Sequence, residues 1–213
     1  MQLSQRHPAA RFQPMKKLLS GLLLLSAGAF ASGCAPDFKE QRANVVVPHK
    51  FVACYSYGCR KRVTYAITQQ MNDRFAAIMS EGKGSAEAER QAIRRAVAYY
   101  EDLSAVRIGT RDDPKSPVAA SGKHGQMDCI DESTNTKHVL LYLQARQLLA
   151  YHSVQPNTSR GMLIDGRYPH WTAVIKDTSG KKWAVDSWFE PGGGMPDVDP
   201  LDYWRTRGVM GER

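Results

Sequence analysis

The 213-residue sequence lacks several features that would place it in a specialised class of protein. Its longest apolar run, from Leu18 to Ala31, has 14 residues, which is fewer than the roughly 20 that a membrane-spanning helix needs. It has no internal repeat and no low-complexity tract, and its 17 glycines and 11 prolines are ordinary for its length. These absences exclude a polytopic membrane protein, a disordered chain and a collagen-like chain, and they favour one globular domain.

Acidic residues are missing from the first 34 positions, where four basic residues occur: Arg6, Arg11, Lys16 and Lys17. The formal charge of the whole sequence is +8, and it falls to +4 when this segment is set aside, with 25 basic residues against 21 acidic ones. A charge this small needs no polyanionic partner, so we expect no nucleic-acid binding.

The start of the chain has the pattern of an export signal. Met15, a candidate initiator, and Lys16-Lys17 precede the apolar run, and small residues then lead directly to Cys34. The stretch Ala31-Ser32-Gly33-Cys34 resembles the lipobox of bacterial lipoproteins, in which this cysteine receives the lipid. Ordinary signal cleavage after Ala31 is the alternative.

Three segments follow from this interpretation. We predict a signal peptide over 1–33, a polar tether over 34–50 and a folded domain over 51–213. Ala35 is not the Asp that typically retains such lipoproteins at the inner membrane. The resemblance therefore implies an outer-membrane lipoprotein on the periplasmic side of a bacterial envelope, attached to the membrane through Cys34.

The sequence contains four cysteines, at positions 34, 54, 59 and 129. An exported domain meets oxidising conditions, so Cys54 and Cys59 can close a small loop as a disulfide. Half of a zinc site is the alternative for this pair, although no second pair with metal-ligand spacing accompanies it. Cys129 is then left over, either as a buried small hydrophobic residue or as a thiol with a chemical use.

Apolar periodicity predicts three helices, over about 62–79, 85–103 and 129–151, with a loop over 111–125. Beyond Pro156 the pattern changes to that of strands, with a short strand over 160–164 and an antiparallel hairpin of 170–176 with 182–188. Leu201, Tyr203 and Trp204 are expected to pack a last short segment. The predicted fold is α+β, with a helical N-terminal half and a central helix packed on a small antiparallel sheet.

The predicted hairpin brings two chemically useful side chains together. A turn centred on Thr178 places His170 opposite Asp186 on one face, and it places Trp171 opposite Val185 on the other, apolar face. A carboxylate in this position accepts the ring N–H of the imidazole and leaves the other nitrogen free as a base.

The other histidines are interpreted as surface or helix residues, namely His7, His49, His124, His138 and His152. The tryptophans are interpreted as core residues.

Cys129 supplies a candidate nucleophile because it opens a predicted helix, where unpaired N–H groups and the helix dipole favour the thiolate. A helix packed across the hairpin would bring this thiol to His170 and Asp186, giving a nucleophile, a base and an orienting group. The Cys129 N–H can stabilise a developing oxyanion, and Gln126 is a further candidate donor.

Three segments around these residues carry a family resemblance: Asp128-Cys129-Ile130-Asp131, His170-Trp171-Thr172-Ala173-Val174 and Trp183-Ala184-Val185-Asp186-Ser187-Trp188. They resemble the Cys, His and Asp blocks of the transglutaminase-like superfamily, above all its bacterial transglutaminase-like cysteine proteinase branch. The resemblance covers about residues 120–190. It implies a papain-like α+β core in which Cys129 is the nucleophile, His170 the base and Asp186 the orienting residue.

We therefore expect an exported thiol enzyme that acts on an amide or peptide bond through a thioester intermediate. Transfer of the acyl group to water makes it a protease or amidase, whereas transfer to an amine makes it a transglutaminase. The expected partner is a protein or peptide amide substrate, and no cofactor or metal is expected. Two alternatives remain, namely a catalytically silent binding or scaffolding module on the same fold and a metal site formed by the three residues.

Overall fold

The structure is a computed structural model that describes residues 47–109, 126–162, 164–165 and 169–207. Within these ranges the chain forms four helices and two antiparallel sheets, so the predicted α+β class is confirmed. None of the helices in the described part is long and apolar enough to cross a membrane. The predicted signal peptide, Cys34, most of the tether, the loop over 111–125, His7 and His124 lie outside the described residues.

The first described element is a two-stranded ribbon that the sequence analysis did not predict. β1 (Lys50–Tyr55) pairs with β2 (Lys61–Ala66), and a disulfide between Cys54 and Cys59 closes the connection. Beyond the last pair, the N–H of Ile67 donates to the His49 carbonyl at 3.0 Å. The folded part therefore starts no later than His49, inside the segment predicted to be a tether.

The predicted helix over 62–79 is wrong in its first part, since residues up to Ala66 belong to β2. The helix itself, α1 (Gln69–Ser80), begins after the N-cap Thr68, whose hydroxyl accepts the N–H of Met71 at 3.2 Å. The chain reversal at the disulfide brings β1 beside residues 61–66. The apolar residues in this part of the chain have a spacing that fits a helix but is also compatible with a strand. Hydrogen bonding to β1 therefore decides in favour of the strand.

The second helix, α2 (Ala86–Ile108), begins where predicted and continues five residues beyond Leu103. Ser85 is its N-cap, and the hydroxyl accepts the N–H of Ala88 at 3.0 Å. The helix ends at Gly109, which has a left-handed backbone with φ of 81°. α1, α2 and the ribbon share the main apolar core with one face of the larger sheet.

The third helix, α3 (Cys129–Ala145), begins at the predicted residue but ends before Tyr151. The chain turns at Gln147, which has a positive φ of 57°. The Glu89 carboxylate on α2 then accepts the N–H groups of residues 150, 151 and 152 at 2.5 to 3.0 Å. Contacts with Glu89, which is distant in sequence, therefore fix the chain that follows α3. The local spacing of apolar residues contains no information about these contacts.

The strand β3 (His152–Arg160) follows directly, so the strand predicted over 160–164 lies earlier in the chain. His152 was interpreted as a helix residue, but it is buried in this strand with Nδ1 2.9 Å from Glu89 Oε1. His138 lies on α3 as predicted, with Nδ1 2.9 Å from the Val52 carbonyl oxygen.

The larger sheet has the strand order β3-β4-β5-β6, and all neighbours are antiparallel. Its remaining elements are β4 (His170–Asp177), β5 (Lys182–Asp186), β6 (Asp197–Pro200) and the short helix α4 (Leu201–Thr206) that follows. One face packs against α3 in the main core. The other face packs Val174 and Ala184 against Leu201 and Trp204, which confirms the predicted last segment for these two residues. Tyr203 was expected to pack with them, but it is exposed because it lies on the outer side of α4.

The β4–β5 hairpin is confirmed, but its register differs from the prediction by two residues. Val185 pairs with Ala173 instead of Trp171. An even shift keeps each side chain on its predicted face, because side chains alternate along a strand. His170 and Asp186 are therefore diagonal neighbours on one face and not directly opposite.

The connecting loop explains this register. The N–H of Asp177 donates to the Lys181 carbonyl at 2.9 Å, which leaves three residues in the loop. The Asp177 side chain accepts the N–H groups of Ser179 and Lys181, each at 3.0 Å. Gly180 has a φ of 89°, as the left-handed position of a three-residue hairpin loop requires.

Candidate active site

A buried hydrogen bond joins His170 to Asp186 at one end of the larger sheet. His170 is the first residue of β4 and Asp186 is the last residue of β5, so their side chains meet at the same end and face. His170 Nε2 lies 2.7 Å from Asp186 Oδ2, and the side chains are 2% and 1% exposed. The structure brings the predicted base and orienting residue together.

The Asp186 carboxylate has two further donors. The indole N–H of Trp204 donates to Oδ2 at 2.6 Å, and the backbone N–H of Trp188 donates to Oδ1 at 3.3 Å. An ionised carboxylate only accepts hydrogen bonds, so the His170 ring donates from Nε2 and Nδ1 is the basic nitrogen. Nδ1 is buried and has no hydrogen-bond partner among the described residues.

Aromatic rings enclose the imidazole of His170. Its ring centroid lies 4.6 Å from that of Trp188, 5.3 Å from that of Phe189 and 5.7 Å from that of Trp204. These rings fix the imidazole plane and exclude water, which strengthens its interaction with the buried carboxylate.

The start of α3 positions Cys129. Asp128 is the N-cap, and its Oδ1 accepts the N–H groups of Ile130 at 3.1 Å and Asp131 at 2.9 Å. The Asp131 side chain completes a capping box by accepting the N–H of Asp128 at 3.2 Å. The Cys129 N–H is not one of the first-turn groups that Asp128 caps.

The thiol lies against the backbone on either side of His170. Cys129 Sγ donates to the Pro169 carbonyl oxygen at 4.0 Å, and the Trp171 N–H on the other side of His170 lowers the pKa of the thiol. The side chain also packs with Trp188 and Phe189, which both contact the imidazole. Trp188 and Phe189 therefore connect the thiol to the imidazole, but within the described residues the thiol donates to the Pro169 carbonyl and not to the His170 ring.

The environment of the thiol opposes the thiolate that the helix start is predicted to favour. Cys129 is 6% exposed, and burial raises the pKa of its thiol to about 12. The charges of Asp128, Glu132 and Asp186 also raise this pKa, and the Trp171 N–H opposes them. The helix start contributes a favourable dipole, but burial and three nearby carboxylates outweigh it.

Gln126, the predicted side-chain oxyanion donor, precedes the helix. Its backbone carbonyl accepts the N–H of Ser56 at 2.9 Å. Its Oε1 is buried and has no hydrogen-bond partner among the described residues. An oxyanion role for its amide group stays a prediction.

The metal alternatives receive no support from the geometry. Cys54 and Cys59 form a disulfide, which confirms the predicted loop closure and removes both as zinc ligands. Within the described ranges, which include Cys129, His170 and Asp186, no three or more His, Cys, Asp or Glu side chains are grouped to hold a metal ion.

Two apolar side chains that follow predicted site residues in the sequence are exposed. Ile130 follows Cys129 and is 41% exposed, and Trp171 follows His170 and is 39% exposed. The prediction that Trp171 is a core residue is therefore wrong. Trp171 lies beyond the last β4–β5 pair, where the sheet no longer has a neighbouring strand on that side. Both side chains offer apolar surface beside the thiol.

Trp204 has a role in this site that the sequence does not predict. It was predicted only to pack, and it is fully buried. Its bond to Asp186 depends on α4 folding back over the sheet, which no spacing in the sequence indicates.

No protein-family model, curated protein or solved structure matches this chain. Its function is therefore inferred from the residues of the site itself.

Proposed function

We propose that this chain is a thiol enzyme that cleaves or transfers an amide or peptide bond through Cys129, His170 and Asp186. The buried His170–Asp186 pair, joined at 2.7 Å, supports this function most directly. It leaves His170 Nδ1 buried and without a partner in the described part of the chain. An unpaired buried nitrogen costs about 1–3 kcal/mol, and a role as proton acceptor for the nearby thiol accounts for that cost.

The reaction has two stages. Cys129 Sγ attacks the amide carbonyl carbon, and its proton passes to His170 Nδ1. The C–N bond then breaks as His170 returns the proton to the departing amine, which leaves a thioester on Cys129. Water or a second amine attacks the thioester with His170 again as base, and the thiol is regenerated.

A thiol that is protonated at rest fits this sequence of steps. Because the pKa of Cys129 is raised to about 12, the thiol keeps its proton at neutral pH until His170 removes it. Asp186 stabilises the imidazolium that forms. In the resting protein Sγ donates to the Pro169 carbonyl, so the thiol has to turn away from this carbonyl before its proton can pass to His170 Nδ1. We therefore expect the thiol to lose its proton only when it attacks a bound substrate.

The substrate carbonyl oxygen gains negative charge during attack. The Cys129 N–H is suited to stabilise it, since it lies on the nucleophilic residue at a helix N-terminus and Asp128 does not cap it. Gln126 is a candidate second donor. The exposed side chains of Ile130 and Trp171 supply apolar contacts for the substrate next to the scissile bond.

The proposal extends to the fold family and to the compartment. α3 begins at the thiol and packs on β4 and β5, and the ends of these strands carry the base and the orienting residue on the sheet face that also holds Trp204. This order of elements resembles the papain-like core of transglutaminase-like proteins. The disulfide suits an oxidising compartment. We propose that the chain is exported, lipidated on Cys34 and held at the outer membrane, where it acts on protein or peptide amides.

Product analysis of the full chain tests this function. Wild type, Cys129→Ala, His170→Ala and the control His49→Ala, which changes an exposed histidine, are incubated with a peptide mixture with and without a biotinylated alkylamine. Mass spectrometry then detects cleavage, deamidation and amine incorporation. We expect wild type and His49→Ala to form one of these products and the two triad variants to form none. Equal product formation by wild type and Cys129→Ala would overturn the proposal.

The catalytically silent binding module is the second candidate. The near-complete burial of the thiol and its raised pKa favour this alternative, because both make the resting thiol unreactive. A peptide that binds wild type and Cys129→Ala with the same affinity, with no product from either, would support the binding module.

A further inference from the structure

The connection between β1 and β2 is fastened to the start of α3. The N–H groups of Tyr57 and Cys59 donate to the two carboxylate oxygens of Asp131 at 2.7 and 2.5 Å. The N–H of Gly58 between them donates to Asp128 Oδ2 at 3.0 Å. Three successive amides of the loop therefore bind the same two carboxylates that cap the helix of Cys129.

Two further contacts extend this attachment on both sides of Cys129. The N–H of Ser56 donates to the Gln126 carbonyl at 2.9 Å. Asn135, farther along α3, accepts the Cys54 N–H at 2.7 Å and donates to the Cys54 carbonyl at 2.9 Å. The loop thus holds the chain before the thiol, the first turn of its helix and the second turn.

The backbone of this loop is unusual. Ser56, Tyr57, Gly58 and Cys59 all have positive φ, at 70°, 64°, 67° and 55°, and only one of them is glycine. The left-handed conformation is unfavourable for residues with a Cβ atom and persists only where the surroundings hold it. Here the Cys54–Cys59 disulfide encloses the turn, and the two carboxylates accept its converging amides.

We propose that the loop closed by the Cys54–Cys59 disulfide is a redox-dependent positioning element for the Cys129 thiol. In the oxidised chain it holds the start of α3 against the backbone next to His170, and reduction releases it. A dithiol reductant passes two electrons and two protons to the cystine, which becomes two thiols, while the dithiol becomes a disulfide. The catalytic consequence rests on the function proposed above: the site is complete in an oxidising compartment and incomplete in a reducing one.

The Cys54→Ser/Cys59→Ser double variant of the full chain tests this proposal. Its control is Arg60→Ala, which changes an exposed side chain directly after the loop. The alkylation rate of Cys129 with iodoacetamide is followed by mass spectrometry of its peptide, and amide turnover is measured separately. We expect alkylation to become about tenfold faster and turnover about tenfold slower, because a loosened helix start exposes the thiol and misaligns it. Arg60→Ala is expected to match wild type in both rates.

Asp131→Asn keeps the disulfide but weakens the contacts to Tyr57 and Cys59, so it is expected to shift both rates in the same directions. If thermal melting shows that the double variant is unfolded, this second variant decides the question.

Reduction and reoxidation of wild type are expected to change both rates reversibly. An unchanged Cys129 alkylation rate in folded double variant would overturn the positioning role. Faster alkylation with no turnover in any sample, wild type included, would support positioning and contradict the proposed function.

Discussion

Asp186 Oδ2 accepts two buried N–H groups, one from the His170 ring at 2.7 Å and one from the Trp204 indole at 2.6 Å. At the scale of single residues this shared oxygen fixes the tautomer of His170. A second donor from α4 keeps the carboxylate in place, so the base does not depend on a single hydrogen bond for its orientation.

We expect Asp186→Asn to lower turnover by about 100-fold or more and the free energy of unfolding by about 1–3 kcal/mol. The amide lacks the charge that stabilises the imidazolium, and its NH₂ group favours the wrong tautomer of His170. Steady-state kinetics and urea unfolding check the two effects. Asp202→Asn, at a fully exposed side chain, is the control and should behave as wild type. A fully active Asp186→Asn protein would show that the carboxylate plays no part in the chemistry.

The Cys129 thiol gives a second prediction at this scale. Burial raises the pKa of this thiol to about 12, so its alkylation by iodoacetamide in the resting protein should be slow at pH 7 and still rising at pH 10. A free cysteine, with an ordinary pKa of about 8.5, would level off before pH 10. Peptide-resolved mass spectrometry measures the rate at each pH. A plateau below pH 8 would contradict the environment described for this thiol.

At the scale of elements, the three-residue loop of the β4–β5 hairpin decides which residues of the two strands are paired. The Asp177 side chain binds N–H groups inside the loop, and Gly180 supplies the left-handed residue that closes it. The pairing in turn sets His170 and Asp186 as diagonal neighbours.

Gly180→Ala should lower the free energy of unfolding by about 1 kcal/mol, because an L-residue with a side chain is unfavourable at a φ of 89°. A Cβ at this position meets no atom within 4 Å, so backbone conformation alone is responsible. Gly84→Ala is a matched control, since its Cβ is equally unobstructed and its φ is not positive. Urea unfolding of the two variants compares them directly, and equal stabilities would contradict the loop geometry.

The attachment of the disulfide loop to α3 gives a prediction about pH. Burial and the neighbouring Asp128 charge raise the pKa of Asp131 from its ordinary 3.8 to about 6, against the effect of its backbone donors. A group whose pKa is higher in the folded state stabilises that state below its unfolded pKa and loses this contribution as pH rises through the folded value. The contribution of Asp131 is therefore largest below pH 4 and is lost by about pH 7.

We expect the free energy of unfolding of wild type, relative to Asp131→Asn, to fall by about 1–2 kcal/mol between pH 4.5 and pH 7. Urea unfolding of both proteins at the two pH values provides the measurement, and comparison with the asparagine variant removes the titrating groups that do not interact with Asp131. A relative stability that rises over this interval would show that the amide donors to Asp131 outweigh its burial.

At the scale of the whole molecule, the proposed lipid anchor would hold the folded domain in its proposed compartment. Cys34 follows small residues that resemble a lipobox, and the folded part starts no later than His49. In a bacterial host the full chain should fractionate with membranes, whereas Cys34→Ser should lose that association. Processing should also be sensitive to globomycin, an inhibitor of lipoprotein signal peptidase. Membrane association that is unchanged in Cys34→Ser would rule out lipidation at this residue.

Features fixed by neighbouring residues could be predicted from the sequence. The Ser85 cap, the start of α3 at Cys129 and the Cys54–Cys59 disulfide all depend on short stretches of chain. β1 and β2 could not be predicted, because the apolar spacing in 62–79 also fits a helix and only pairing across the disulfide turn selects the strand. The end of α3 depends on Glu89, which is distant in sequence.

The sequence by itself determined the residue types of the candidate site, their order along the chain and the face that His170 and Asp186 share, since strand alternation survives an even shift of register. Only the tertiary structure decided the actual pairing, the second donor to Asp186 and the raised pKa of the Cys129 thiol. The reason is physical: alternation and capping are local, whereas burial and carboxylate charge around a thiol depend on elements that meet only when the chain folds.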